Sequence, residues 1–403
     1  MYFTFIDKEK ICTYEDGKIR SYESEYVKRY RETTLNHQKN REWKKNTDMM
    51  MYEEDFSSER VSVRLHSVCP TTEKNKLVYA FRVNDSAGIY YKFTDDEKKT
   101  EAHLLTSTDE SFQNLFVNRN GEIFGVVQKN GYSSQIAIFS KEGGDYKSVT
   151  GGDSKDENPF YYQGNVYFNS YGIGRDANNE FLMYAPSEIL RLNPQAMEIE
   201  TILSDEKFSF IKPMIYGDGN LYCIRKSVDR KEERGNGFLN ILLIPVRIVE
   251  ALVGFVSLFV NIFAGKPLVD GKGRTRNGNG MAKNMDERQI FVHNQLLNVE
   301  KELKNNQKDE DGGFIPHSFK LVKFPKDEAN FKGERNPGMG VVIASGVADF
   351  CITEENEVIY TNGKRIFALT EDGKRKKLAS TDFCLQLSTL PPTAEEEDLF
   401  SQI

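Results

Sequence analysis

At 403 residues the chain is longer than an ordinary single domain, although closed all-β folds reach that length as one unit. Hydrophobic residues at 38% can supply a core, and 27 Phe and 19 Tyr against a single Trp favour strands over a helical bundle. The net charge of −7 excludes a generic nucleic-acid binder, which carries a basic face.

The opening stretch, Met1 to Lys8, lacks the charged, apolar and small-residue regions of a secretory signal, so the cytoplasm is the expected compartment. Ile11-Cys12-Thr13-Tyr14 follows a polar turn and is itself followed by Ile19-Arg20-Ser21-Tyr22. The same pairing of short apolar runs returns along the chain. Leu77 to Phe81 precedes Ile89 to Phe93, Ile123 to Val127 precedes Ile136 to Phe139, and Val166 to Phe168 precedes Ile189 to Leu192. Leu221 to Ile224 and Phe319 to Phe324, then Val358 to Tyr360 and Ile366 to Leu369, complete six pairs. Several runs alternate apolar with polar residues, the period of two of a strand with one buried face. Turns such as Asn118-Arg119-Asn120-Gly121 and Gly217-Asp218-Gly219-Asn220 are hairpin chemistry. A third apolar piece, such as Ala102 to Leu105 or Ile199 to Leu203, completes a four-stranded meander with the strand that opens each repeat.

The steps between units fit a propeller blade of ~40–50 residues, except the first and the fifth. The first is lengthened by a polar connector, 34–59, and the fifth by an insertion, 228–316, between the two middle strands of its repeat. The predicted fold is therefore all-β, a six-bladed β-propeller with an α-helical insertion in the fifth repeat. Residues 1–227 form its first part and 317–390 its last, and 391–403 form an acidic tail around Glu395-Glu396-Glu397-Asp398. A β-sandwich is the competing architecture. The segment Asn362 to Lys374, with Ile366-Phe367 followed by Asp372-Gly373, resembles the repeats of TolB-like and WD40-like propellers. That resemblance covers the repeats, not the insertion, and implies a binding platform.

Phe238 to Ala264 is the most apolar part of the chain. Asn240, Arg247, Glu250, Gly254, Ser257, Asn261 and Gly265 recur at three, four or seven residues, one narrow polar or small stripe on an amphipathic helix. A spanning helix needs ~20 apolar residues, and the charge-free run Ala251 to Ala264 is shorter, with Pro245 starting or kinking the helix. An insertion between adjacent antiparallel strands leaves and returns on one side of the disc, so any crossings are even in number. Two crossings need ~40 apolar residues, and 266–316 supplies no second span. The expectation is a helix in the membrane interface, or a re-entrant one. Its candidate membrane-binding residues are Leu242, Ile244, Val246, Arg247, Ile248, Leu252, Val253, Phe255, Val256, Leu258, Phe259, Ile262, Phe263 and Lys266. Arg225, Lys226, Arg230, Lys231 and Arg234 before it, and Lys272, Arg274, Arg276 and Lys283 after it, are expected to attract anionic headgroups at roughly 1 kcal/mol each. The alternative is that the helix packs on the propeller or on a partner protein. Connector 34–59, with Lys39, Arg41, Trp43, Lys44 and Lys45 beside three methionines, is expected on the same face. Met285 to Asn305 reads as a surface helix.

Motifs for nucleophile elbows, zinc-protease helices and phosphate loops do not occur. Cys12, Cys69, Cys223, Cys351 and Cys384 stand singly and are expected to be reduced core thiols. His37, His66, His103, His293 and His317 lack ligand spacing, and Gln307 to Gly312 lacks the terminal Glu of a calcium loop. Gly151 to Asn158 can present carboxylates at a propeller mouth, or simply join blades. No catalytic residue, metal ligand or cofactor is therefore assigned. The expectation is a membrane-peripheral propeller that binds a protein partner, with anionic lipid as second partner and no nucleic acid. The alternative is a hydrolase or lactonase-like enzyme with a cation in the central channel, which needs inward-facing carboxylates or histidines.

Overall fold

The computed structural model describes residues 1–45, 61–95, 100–129, 131–175, 181–196, 198–216, 219–228, 289–306, 311–325, 340–370 and 373–391. The apolar runs become strands of six four-stranded antiparallel sheets, the blades of a propeller. Blade one holds β1 (Tyr2–Asp7), β2 (Lys10–Glu15) and β3 (Lys18–Tyr22). Blade two holds β4 (Val63–Pro70), β5 (Lys76–Val83), β6 (Ser86–Phe93) and β7 (Glu101–Ser107). Blade three holds β8 (Ser111–Val117), β9 (Ile123–Gln128), β10 (Gln135–Phe139) and β11 (Tyr146–Ser148). Blade four holds β12 (Ser154–Tyr162), β13 (Asn165–Arg175), β14 (Phe181–Asn193) and β15 (Glu198–Leu203). Blade five begins with β16 (Phe208–Ile215) and β17 (Leu221–Ser227), then the insertion intervenes with β18 (Gln289–Val292), β19 (Gln295–Asn298) and helix α2 (Val299–Asn305). The blade resumes with β20 (Lys320–Phe324) and β21 (Val341–Ser345). Blade six holds β22 (Asp349–Ile352), β23 (Val358–Thr361), β24 (Gly363–Leu369) and β25 (Arg375–Cys384).

The ring closes through β26 (Leu387–Ser388), which pairs Leu387 with Phe5 and Ser388 with Thr4 and so supplies the innermost strand of blade one from the far end of the chain. This corrects the phase of the first repeat: Ile11 to Tyr14 lies third from the axis, whereas its counterparts in the other blades lie second. Tyr2 to Asp7 takes the second place.

Burial follows radius. β5 and β9 are buried along nearly their whole length because neighbouring blades cover both faces, which explains their continuous apolar runs. The outer strand β3 is almost wholly exposed. Inter-blade cores link the ring, one of them joining Phe3, Phe5 and Tyr14 of blade one to Cys351, Ile359 and Ile366 of blade six. All five cysteines are free and buried in the described structure, as the sequence predicts.

The first connector is helical from its start: α1 (Glu25–Lys45) begins nine residues before the polar stretch that marks it in sequence. Its N-terminus is capped from two directions. Ser24 Oγ accepts from Val27 N at 3.2 Å, and the Glu101 carboxylate of β7 accepts from Glu25 N and Tyr26 N at 2.8 and 3.1 Å. A carboxylate there satisfies orphan donors and meets the positive end of the helix dipole. Tyr26 then packs on Phe81 and Tyr90 of blade two.

Antiparallel strands alternate in direction, so blade-to-blade links and links between second and third strands leave by one face. That face carries α1 and the insertion. The described part of the insertion differs from the expected surface helix over Met285 to Asn305: it is the β18–β19 hairpin followed by the short α2. Asn298 ends the hairpin and caps α2, its Oδ1 accepting from Lys301 N at 2.9 Å. The chain then crosses blade six, where the Phe314 ring lies so close to Gly363 that a Cβ there would come within 2.3 Å of Phe314 Cζ. Gly363 also has φ +91°, a conformation that costs an L-residue dearly.

Candidate functional site

The six innermost strands surround the axis, and their inner side chains form a channel that holds a cavity of about 250 Å³. Its shape depends on a repeated irregularity. Register shifts interrupt the pairing of β4 at Leu65/Ser67, β8 at Gln113/Phe116, β12 at Glu157/Phe160 and β16 at Ile211/Met214. In the last three, Asn114, Asn158 and Lys212 adopt positive φ of 46°, 54° and 53°. A bulge re-aims the side chain it displaces, and these three line the cavity. Asn114 Nδ2 donates to Asn158 Oδ1 at 2.9 Å, Asn158 Nδ2 donates to Asn169 Oδ1 at 2.8 Å, and Lys212 N donates to the same oxygen at 3.1 Å. The bulged residues of three blades are thus joined by one chain of amides.

Along the inner strands of blades three, four and five the lining passes from polar to apolar. Gln113 and Asn114 give way to Leu115 and Phe116, Lys155 and Glu157 to Pro159 and Phe160, and Lys212 to Met214. The polar end carries two lysines and two carboxylates, each spent on the other. Lys155 Nζ lies 2.6 Å from Glu157, and Lys212 Nζ lies 2.7 Å from Asp349. Asp349 also accepts from Leu387 N at 2.7 Å, and Lys212 Nζ donates to Leu387 O at 3.0 Å. This clasp ties blades five and six to the closing strand β26.

The β18–β19 hairpin sits over the polar end. Its two-residue turn, His293-Asn294, has φ of 49° and 58°, the backbone of a type I′ turn built without glycine. Asn294 Oδ1 accepts from Lys155 Nζ at 2.7 Å, His293 O accepts from Lys226 Nζ at 2.9 Å, and His293 Nε2 donates to Ala348 O at 2.7 Å. Val292 and Leu297 of the hairpin itself are buried in the core. Lys226 is therefore buried and engaged with the hairpin, which withdraws it from the cations expected to face headgroups. Arg225 stacks over the Phe208 ring at 4.8 Å.

Burial governs titration in and around the lining. His66 is pushed down to about 3 by burial and by the Arg64 and Arg82 charges, and burial likewise lowers His293. Burial raises the Cys351 thiol to about 12 and Cys69 to about 11, the inert behaviour of core thiols. Asp156, raised by burial, accepts from Ser154 Oγ and Ser170 Oγ at 2.9 and 2.7 Å behind the wall.

Among the described residues no group of three His, Cys, Asp or Glu side chains could hold a metal ion. The segment 151–158 does bring a carboxylate, Glu157, to the channel mouth, but against Lys155. Asp311, from the acidic run of the insertion, faces Arg365 and Arg375. The candidate membrane-binding residues, Leu242 to Lys266, lie outside the described residues. No helix among the described residues is long and apolar enough to cross a membrane.

The sequence did carry a signal for the channel. Asn114-Leu115-Phe116-Val117, Asn158-Pro159-Phe160-Tyr161 and Lys212-Pro213-Met214-Ile215 repeat one pattern, a polar residue, then Leu or Pro, then two apolar residues, ahead of each second strand. The spacing matches the blades, and each polar residue is the bulged one. Nothing local in the sequence announces Asp349, Lys155 or the His293-Asn294 turn.

No family model matches the chain, and none of the curated proteins matches it in sequence. Solved structures similar to it include TolB from Acinetobacter baumannii, at 8% identity over 96% of this chain and 65% of that one, with a TM-score of 0.44. The tricorn protease is similar at 12% identity over 95% of this chain and 34% of that one, with a TM-score of 0.40. Prolyl oligopeptidase B from Galerina marginata is similar at 8% identity over 93% and 40%, with a TM-score of 0.39. The chain spans 65% of that TolB chain and smaller shares of the other two. The six-bladed architecture itself rests on the strand pairing described above.

Proposed function

We propose that this protein is a non-enzymatic, membrane-peripheral propeller of the cytoplasm that recruits a protein partner on its disc. Segment 238–264 is its anchor on anionic lipid. The observation that carries this reading is the placement of the insertion. It interrupts blade five between β17 and β20, so both ends of 229–288 leave and rejoin the disc by the face that also bears α1. A segment tethered so can lie along a surface facing the disc without any change in the blades. The competing enzymatic reading needs a channel cation. Glu157 and Asp349 are each held within 2.7 Å of a lysine, so a cation would have to break both pairs.

Flotation with vesicles containing phosphatidylserine tests the anchor. The full chain is expected to float, and a variant lacking 238–264 to remain at the bottom while melting at the same temperature. Unchanged flotation of the deletion variant overturns the proposal. So does its unfolding, which would place the apolar helix in a protein core.

A further inference from the structure

The hairpin over the channel shares no ladder hydrogen bond with any blade: β18 and β19 form a separate two-stranded sheet. A lone two-stranded hairpin is marginal in water. Of its two turn residues in the left-handed region, Asn294 is at ease there, whereas His293 stands where Gly, Asn or Asp is favoured. What seats it is side-chain contact alone: Val292 and Leu297 are buried in the core, and polar contacts run from Asn294 to Lys155, from His293 to Ala348 and from Lys226 to His293. Asn294 Nδ2 is buried without a partner. A segment held by side chains without a ladder opens at lower free energy than the sheets around it.

The cavity behind it has a definite chemical character. Its four charged side chains, Lys155, Glu157, Lys212 and Asp349, form two pairs and sum to zero. A charged guest would find no uncommitted counter-charge and would lose its water. An uncharged guest with an apolar part fits the passage from amides to Phe116, Phe160 and Met214. The volume of about 250 Å³ is below the ~300–1,000 Å³ of drug-sized pockets.

We infer that the β18–β19 hairpin is a gate on the central channel, opening without disturbance of the blades, and that the cavity behind it admits small uncharged molecules. This does not depend on membrane attachment. The blades are held by ladders as well as inter-blade cores, and the hairpin by side-chain contacts without a ladder, so the hairpin opens first.

All three thiols are buried, but Cys351, in the core between blades six and one, also borders the cavity, whereas Cys223 and Cys384 do not, so the three separate gate opening from blade opening. The native full chain is alkylated with iodoacetamide or with the similarly sized anion iodoacetate, and each cysteine is followed by mass spectrometry. In either reaction the thiolate sulfur bonds to the CH2 carbon, iodide leaves and the thiol proton passes to solvent. Asn294→Gly keeps the turn backbone and removes the bond to Lys155. It is expected to speed iodoacetamide modification of Cys351 about ten-fold, the factor for one charge-assisted hydrogen bond, with Cys223 and Cys384 unchanged. After calibration on the unfolded chain, Cys351 is expected to disfavour iodoacetate by about ten-fold or more, one buried charge being worth at least that. Equal acceleration of all three thiols, or none at Cys351, overturns the gate. Equal rates with the two reagents overturn the selectivity.

Discussion

Removal of the Asp349 carboxylate is the sharpest test of how the ring is closed. Asp349 has a side chain 4% exposed, faces Lys212 Nζ at 2.7 Å and accepts from Leu387 N at 2.7 Å, so one carboxylate serves blades five, six and one. In Asp349→Leu, Lys212 is left as a nearly buried charge and Leu387 N loses its acceptor. Breaking such a pair from one side costs ~3–5 kcal/mol, and Lys212 recovers part of this through Leu387 O and its own 17% exposure. The net expectation is a loss of about 3 kcal/mol in urea unfolding. With an unfolding entropy of ~2.1 cal/mol/K per residue, a chain of this length has ~0.8 kcal/mol/K in all, so the melting temperature falls by about 4 °C. Lys212→Met alone should cost a similar amount, since it strands Asp349 instead. The double variant should cost at least ~2 kcal/mol less than the sum, because an apolar pair replaces an ion pair at little net cost. A loss below ~1 kcal/mol in Asp349→Leu, or singles that add within ~0.5 kcal/mol, would refute the clasp.

Other consequences are as direct. His66 binds no proton in the folded state until about pH 3, whereas an unfolded histidine protonates near pH 6.5. The unfolded state therefore takes up the proton first on acidification. Stability contributed by the neutral ring is complete above pH ~6.5 and is lost by up to ~1.4 kcal/mol per pH unit from there toward pH 3. His66→Gln should flatten the pH dependence of urea midpoints between pH 6 and 4, and an unchanged slope would place that proton elsewhere. Gly363→Ala should cost ~3 kcal/mol or more, as it combines positive φ with the Phe314 clash. Gly164→Ala, with φ +76° and open space around it, should cost only ~1–2 kcal/mol, and equal losses would remove the packing argument.

The fold was legible because its information is local. Apolar runs of strand length, glycine and asparagine at the turns and a blade-sized step are all properties of neighbouring residues, and the structure places the insertion between the middle strands of blade five as the spacing predicts. Local signals were less sure where two periods compete. Ile290, Leu296, Leu297 and Val299 suit a helix face, yet Ile290 and Leu297 are cross-strand partners in the hairpin. The phase of blade one was misplaced because its innermost strand, Leu387–Ser388, is two residues long and comes from the other end of the chain.

By itself the sequence determined the class of fold, its repeat number and the site of the long detour, since hydrophobic period and turn chemistry act over a few residues. Only the tertiary structure decided which polar residues meet. Lys155 and Asn294 are far apart in the chain, as are Lys212, Asp349 and Leu387, and they become neighbours because six blades share one axis. Charge pairing and closure are properties of that shared space, and no window of consecutive residues contains them.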